Sequence, residues 1–283
     1  MEKTEHINQL IHLSVQEDLG SGDLTSEFFV HPDSTNTAHV TARETLIVSG
    51  SNLAYWICEI IDPTLVLTLH IKDGETAHAG DIVITITGNS RSILTAERTL
   101  LNFMQRLSGI ATLTNQYYQT ISGTGASLLD TRKTTPGWRA LEKYAVTCGG
   151  GQNHRIGLYD RVMVKDNHIV ALGGIGNLQN HIDQLKIQHP HIPIEVEVDT
   201  IHQLKSLLKL TKIDFVLLDN MSLKQLSEAV ELTKKSDSPF KTEASGGVNL
   251  KTIRNIAKTG VDYISVGAIT HSATAVDLGM DFI

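Results

Sequence analysis

At 283 residues the chain exceeds a typical single domain, so it is expected to form either one large α/β barrel or a barrel with a smaller partner domain. Hydrophobic residues make up 41% and charged residues 19%, with no low-complexity stretch and no internal repeat, which excludes a disordered chain. A formal net charge of −7 argues against a general nucleic-acid binder, and no apolar run approaches the roughly 18 residues that span a bilayer.

The opening MEKTEHINQL lacks the basic start and apolar core of a signal peptide, so the expected address is the cytoplasm. HINQLIHLSVQEDL places Ile7, Leu10, Ile11 and Val15 on one face at the 3.6-residue period and predicts an amphipathic helix stopped by the turn GSGD. From about Asn36 to Gly88 short β-branched runs (AHVTA, LIVSG, LVLTLHI, DIVITITG) surround one helical stretch, SNLAYWICEIID, which reads as a small mixed α/β domain. A long helical pattern carrying Leu94, Leu100, Leu101 and Met104 follows from about Ser92, continues past Ser108-Gly109 towards Ile121, and is expected to bridge two domains. The domains are placed at residues 1–108 and 109–271, with a tail over 272–283 returning to the first.

Beyond the bridge, SLLD, VMVK, IEVEV, FVLLD, KTEA and YISVG alternate with helical segments such as LKQLSEAVELTKK, which indicates a parallel sheet with right-handed crossovers. Each run ends in polar or glycine chemistry: Asp130 to Lys133, then Lys165 to His168, Glu197 and Asp199, Asp219-Asn220, Ser245-Gly246-Gly247, and Gly267. Six consecutive strands presenting functional side chains at one edge fit the C-terminal face of a barrel, whereas an open doubly wound sheet concentrates its site at one switch point. The expected fold is therefore an incomplete six-stranded parallel α/β barrel behind a small N-terminal α/β sandwich. No GxGxxG or GxxxxGK[ST] motif competes.

The two cysteines, Cys58 and Cys148, have neither CxxC nor metal-ligand spacing, and both read as small buried hydrophobes, although Cys148 abuts three glycines. Between Arg132 and Lys165 seven basic residues (Arg132, Lys133, Arg139, Lys143, Arg155, Arg161, Lys165) face two acidic ones, Glu142 and Asp160. Because they are interleaved with glycines and turns, this local excess is read as a cleft that focuses field on a small anion rather than as a solvated helical face.

Three groups carry the chemistry. Gly246, Gly247 and Gly267 let backbone N–H groups approach an anion, as in the phosphate loops of many barrels. Arg132, Lys133, His154, Arg155 and Lys165 mix forked guanidinium with compact ammonium, which suits a ligand bearing both carboxylate and phosphate. Glu197 and Asp219, at the ends of neighbouring strands, suit Mg²⁺ with sugar hydroxyls, or a structural network with Lys133 and Lys165. A barrel enzyme acting on a phosphorylated sugar and a carboxylate follows; a lyase or isomerase for sugar phosphates and a silent ligand-binding subunit remain as rivals.

The run DTRKTTPGWRALEKYAVTCGGGQNHRIGLYDRVMVKDNHI, with EDLGSGDLTS, AERTLLNFMQRLSGIAT, IEVEV, LLDNM, EASGGVN and ISVGAITHS, closely resembles the quinolinate phosphoribosyltransferases over nearly the whole chain. The resemblance implies a pentosyltransferase that converts quinolinate and phosphoribosyl pyrophosphate to nicotinate mononucleotide, pyrophosphate and carbon dioxide in NAD biosynthesis. It implies Mg²⁺ carried with the pyrophosphate, and a homodimer or higher homo-oligomer with shared sites and no nucleic-acid or membrane partner. Carried over position by position, Arg132, His154 and Arg155 surround the quinolinate carboxylates, Lys165 lies near both substrates, and Arg98 reaches in from a partner. Lys133, Glu197 and Asp219 face the phosphoribosyl group, while Ser245, Gly246, Gly247 and Gly267 cradle phosphate with His271 nearby. Thr147 stands where many relatives have a basic residue. A paralogue associated with molybdenum transport is the nearest rival within the fold, and KDNH with Arg132, His154 and Arg155 favours the quinolinate reading.

Overall fold

The computed structural model describes residues 1–236 and 240–283. The chain divides into two compact units, one of residues 1–115, 134–150 and 269–283, the other of residues 116–133 and 151–268.

The first unit opens with α1 (Glu5–Leu19), where Thr4 accepts the Ile7 amide as N-cap and Ile7, Ile11 and Val15 form the buried stripe. Gly20 at φ 52 ends the helix, as the GSGD turn predicts. After α2 (Leu24–Phe29), capped by Asp23, come β1 (Thr35–Ala42), β2 (Leu46–Ile47), α3 (Ser51–Ile61), β3 (Val66–Leu69), β4 (Thr76–Ala77) and β5 (Ile82–Asn89). Asp73 caps α3 from outside by accepting the Gly50 and Ser51 amides at 3.0 Å each. The long helix α4 (Ser90–Ile121) begins in the first unit and ends in the second.

The second unit is built on β6 (Ser127–Leu129), β7 (Val162–Val164), β8 (Ile194–Val198), β9 (Phe215–Asp219), β10 (Lys241–Ser245) and β11 (Tyr263–Ser265). They pair in parallel in the order β6-β11-β10-β9-β8-β7, so β6 and β7 are the two end strands of the incomplete barrel, and Gln152 bridges the outer side of β6. Between them run α6 (Asp166–Ala171), α7 (Leu178–Gln188), α8 (Ile201–Leu207), α9 (Leu223–Lys234) and α10 (Ile253–Ala257). Two carboxylates clasp the strand starts. Asp214 accepts the Ile194 amide at 2.7 Å, and Asp262 accepts the Thr242 amide and hydroxyl at 2.9 Å each.

Two remaining helices, α5 (Arg139–Cys148) and α11 (Ala268–His271), precede the last strand, β12 (Leu278–Phe282). β12 pairs antiparallel with β1 and completes the four-stranded sheet β12-β1-β5-β3. Its core includes Leu53, Ile57, Ile84, Ile86, Leu100 and Leu107, all fully buried, each contributing about 1.5–3 kcal/mol of transfer free energy.

The placement of 109–271 as one barrel domain differs from this division, because Thr134–Gly150 groups with the first unit. Packing explains it. Trp138 stacks on Phe103 with ring centroids 4.7 Å apart, Arg106 meets the fully buried Glu142 at 3.0 Å, and a Cβ on Gly149 would fall 2.4 Å from the Ala111 carbonyl. Arg139 and Lys143, expected among turns, lie four apart on α5, and Lys143 is buried; the apolar period of Leu141, Ala145 and Val146 carries that helix. The basic segment is thus divided between the two units.

Among the described residues no helix is long and apolar enough to cross a membrane.

Candidate active site

The parallel strands of the second unit bring most of the expected residues to their C-terminal ends. Lys165 directly follows β7, Glu197 lies on β8, and Asp219 and Ser245 close β9 and β10 in register with each other. Gly267 comes two residues after β11, and Arg132 and Lys133 follow β6. Strand alternation puts Glu195 and Glu197 on one face of β8, and Leu217 and Asp219 on one face of β9.

Arg155 is buried, with Nη1 donating to the Arg161 carbonyl at 3.2 Å and Nη2 to Met163 Sδ at 3.5 Å. Burial and, after it, the positive charge of Arg132 lower its pKa. Two guanidinium groups thus repel each other in a place of low solvation, which an incoming anion relieves.

Lys165 Nζ donates to Glu197 Oε2 at 3.1 Å. Carboxylate oxygens of Glu197, Asp199 and Asp219 lie within 4.8 Å of one another. This trio adds Asp199 to the pair expected at these strand ends. Next to it the backbone is shaped by glycine. Gly246 has φ 94, and a Cβ there would fall 2.2 Å from Asn220 Oδ1, so no side chain fits. Gly247 has φ 62 and open space where a Cβ would stand. Such a left-handed pair leaves its amides unscreened by side chains, the chemistry of an anion cradle.

His154 takes a different position from the one its residue type suggests. It is buried at 6% exposure beneath the strand ends. Its amide donates to Asp130 Oδ1 at 2.8 Å, its Nδ1 accepts the Arg155 amide at 2.7 Å, and its Nε2 lies 3.2 Å from Glu195 and 3.4 Å from Glu243. Arg161 Nη1 lies 3.5 Å from Glu195, with its guanidinium 4.2 Å from the centre of the Phe215 ring. Burial opposes charge on the imidazole, but the Glu195 and Glu243 carboxylates outweigh it and pull the pKa up to about 9. Burial alone would raise Glu195; His154 and Arg161 outweigh it and hold its pKa down, whereas burial keeps Glu243 high despite His154. Sequence reasoning missed Glu195, Glu243 and the inward role of Arg161.

Two expected residues belong to the first unit. Arg98 is more than half exposed on α4 with Glu97 3.8 Å away, and the exposed His271 ends α11 with Nδ1 2.7 Å from the Ser272 hydroxyl. Cys58 is buried and Cys148 half-buried; burial pushes both thiols up, Cys58 to about 12, so neither is poised as a nucleophile. Thr147 is exposed and returns its hydroxyl to the Tyr144 carbonyl at 2.7 Å.

The family model for the quinolinate phosphoribosyl transferase N-terminal domain matches residues 23–108, and that for its C-terminal domain matches residues 110–281. The chain belongs to the quinolinate phosphoribosyltransferase family. It is 41% identical to the mitochondrial quinolinate phosphoribosyltransferase [decarboxylating] 2 of Nicotiana glauca, over 98% of this chain and 82% of that protein. Against the probable nicotinate-nucleotide pyrophosphorylase [carboxylating] of Bacillus subtilis the identity is 38%, over 97% and 93%. The solved nicotinate-nucleotide pyrophosphorylase of Francisella tularensis superposes with a TM-score of 0.92 at 38% identity, covering 100% of this chain and 98% of that one. Within the quinolinate phosphoribosyltransferase family the small N-terminal domain and the six-stranded parallel sheet are therefore the shared architecture.

Proposed function

We propose that the chain joins quinolinate to the phosphoribosyl group of phosphoribosyl pyrophosphate, releasing pyrophosphate and carbon dioxide and leaving nicotinate mononucleotide for NAD biosynthesis. One observation carries the reading at the level of residues. Arg155, whose pKa is lowered by burial and then by the Arg132 charge, stands in the same unit as the Lys165–Glu197 pair and the Gly246-Gly247 turn. A dianionic acid and a phosphorylated sugar need those two kinds of chemistry side by side.

In this reading Arg132 and Arg155 grip the quinolinate carboxylates, with His154 behind Arg155, and Lys165 lies between the two substrates. Ser245, Gly246, Gly247 and Gly267 hold phosphate oxygens through backbone N–H groups, with Lys133 and His271 assigned to the same phosphoribosyl substrate. Glu197 and Asp219 stabilise positive charge that develops on the ribose carbon as the pyridine nitrogen attacks and the bond to pyrophosphate breaks. The nitrogen, now bonded to the ribose carbon, is cationic. The carbon–carbon bond to the adjacent carboxylate then breaks, its electron pair stays on the ring as an ylide, and a proton replaces carbon dioxide.

The oxygen donors of Glu197, Asp199 and Asp219 fit a hard divalent cation, so Mg²⁺ is assigned there together with the pyrophosphate. When bound, it supplies charge neutralisation for the leaving group. A homodimer in which Arg98 completes the neighbouring subunit's site is part of the proposal, supported by the exposure of that side chain. A cytoplasmic setting is supported by two free thiols.

The test is to incubate the protein with quinolinate, phosphoribosyl pyrophosphate and Mg²⁺ and to follow both products. Nicotinate mononucleotide and carbon dioxide should appear in equal amounts, and nicotinic acid should not replace quinolinate. Efficient turnover of nicotinic acid would overturn the assignment of the cations to two carboxylates.

A further inference from the structure

Asn220 directly follows β9, in the same unit as Ser245 and Gly246. Its φ is 52, in the left-handed region, and its amide donates to the Ser245 carbonyl at 2.9 Å, so backbone alone ties the ends of β9 and β10. Glycine would meet both conditions with less strain. The turn thus needs no side chain here, and the contacts of the carboxamide are additional to it.

Those contacts run in two directions. Asn220 Nδ2 donates to Asp219 Oδ2 at 2.7 Å. A carboxylate only accepts, so the amide nitrogen is the end that faces Asp219, and Oδ1 is turned against Gly246. A Cβ on Gly246 would overlap Oδ1, Cγ and the backbone nitrogen of Asn220, all within 3.0 Å of it. One flat group thus touches both an acid of the Glu197, Asp199 and Asp219 trio and the first residue of the Gly246-Gly247 turn.

Neither neighbour has a sharp preference of its own. The terminal torsion of an aspartate is broad, so a carboxylate without a partner sweeps its oxygens over a wide arc. Two successive glycines leave the backbone at its freest, so amides carried on them stay aligned only if something outside the turn stops it from moving. With Oδ2 held, the rotation of Asp219 is set, and with it the direction of its other oxygen. We propose that Asn220 is a positioning residue: through one carboxamide it orients Asp219 and braces the Gly246-Gly247 turn, so that the acid and the phosphate cradle meet one phosphoribosyl group together. A hydrogen bond between groups open to water contributes little to folding, so the effect falls on binding. The inference rests on the reading that Asp219 and this turn meet the phosphoribosyl group.

Asn220→Gly tests it, because glycine accepts the left-handed backbone, keeps the amide bond to Ser245 and removes only the carboxamide. Its melting temperature should match that of the wild type. Calorimetric titration with nicotinate mononucleotide, without metal, should show binding weakened roughly tenfold, the size of a hydrogen bond to a charged group, while quinolinate binding changes by less than about threefold. Made in an Asp219→Ala background, the same substitution should weaken nicotinate mononucleotide clearly less than in the wild type, because part of its action passes through Asp219. Unchanged binding of nicotinate mononucleotide, equal weakening of both ligands, or full additivity with Asp219→Ala overturns the proposal. If Asn220→Gly melts early, Asn220→Asp decides, compared with the wild type in high salt that screens the added charge. It keeps the shape and backbone tolerance of asparagine and lacks the donor, so weakened nicotinate mononucleotide binding supports the proposal and wild-type affinity overturns it. Failure of the functional reading looks different, since the wild-type protein itself would then not bind nicotinate mononucleotide.

Discussion

Lys165 Nζ donates to Glu197 Oε2 across 3.1 Å, from the residue after β7 to the neighbouring strand β8. The lysine is 46% exposed, and a pair so open to water contributes less than about 1 kcal/mol to folding. Its value lies in orientation: it holds an acid of the Glu197, Asp199 and Asp219 trio beside a cation assigned to both substrates. Glu197→Gln should therefore change the melting temperature little and lower kcat on the order of a hundredfold, as expected for loss of a charge aimed at a developing cation. Steady-state rates and a thermal melt on the same preparation check it. A large loss of stability with unchanged kcat would make the pair structural.

Arg155→Lys separates geometry from charge. If Arg155 grips a carboxylate through two parallel N–H bonds, lysine keeps the charge and loses the fork. Quinolinate binding should weaken at least about tenfold, equivalent to roughly 1.4 kcal/mol, with a much smaller change for phosphoribosyl pyrophosphate. Calorimetric titration of each ligand, with a melting curve as control, checks it. Equal weakening of both would make Arg155 a packing residue under the glycine loop.

The residues explain how much of this was legible beforehand. The six parallel strands and their polar ends are visible because a buried strand reads as a short apolar run, and the change of chemistry at its end is abrupt. Helix α5 was hidden by the glycines and basic residues around it, although Leu141, Ala145 and Val146 carry its period. Glu195 and Glu243 were hidden for another reason: IEVEV and KTEA look like alternating strands with a wet face, whereas both faces of this sheet are covered. The usable signal was a carboxylate in the middle of a parallel strand, where a charge needs a partner. Which partner it takes depends on the loop after β6 and the approach to β7, distant in sequence from both strands. His154 illustrates the same limit, since its residue type suggests a ligand contact and only the fold shows its ring nitrogens engaged inside.

Arg98 should act in trans. It precedes the parallel strands in the chain, it is more than half exposed, and its neighbouring anion is the adjacent Glu97 at 3.8 Å. Mixing inactive Arg98→Ala with inactive Lys165→Ala subunits should regenerate some sites that contain both wild-type residues. Activity of the mixture, measured after mass spectrometry has confirmed subunit exchange, checks the shared site. Exchange without recovery would place Arg98 outside it.

Acid stability should depend on Asp262. Its carboxylate accepts from the Thr242 amide and hydroxyl at 2.9 Å and from Lys241 at 2.7 Å, fastening the start of β10 to the residue before β11. Burial alone would raise its pKa, but Lys241 and Thr242 outweigh that and hold it below the ordinary value of 3.8. A carboxyl group whose pKa is lower folded than unfolded stabilises the fold fully above its unfolded pKa of about 3.9 and loses that contribution as pH falls through the folded value. Asp262→Asn keeps one acceptor oxygen and loses the charge, so it should cost about 1–2 kcal/mol at pH 7, discounted for the partly exposed lysine partner. That difference should stay level from neutral pH down to about pH 5 and shrink steadily below about pH 4, as protonation removes from the wild type what the substitution has already removed. Urea unfolding of both proteins at a series of pH values measures it. A gap that widens in acid would mean that Asp262 is favoured in its protonated form, contrary to the three donors around it.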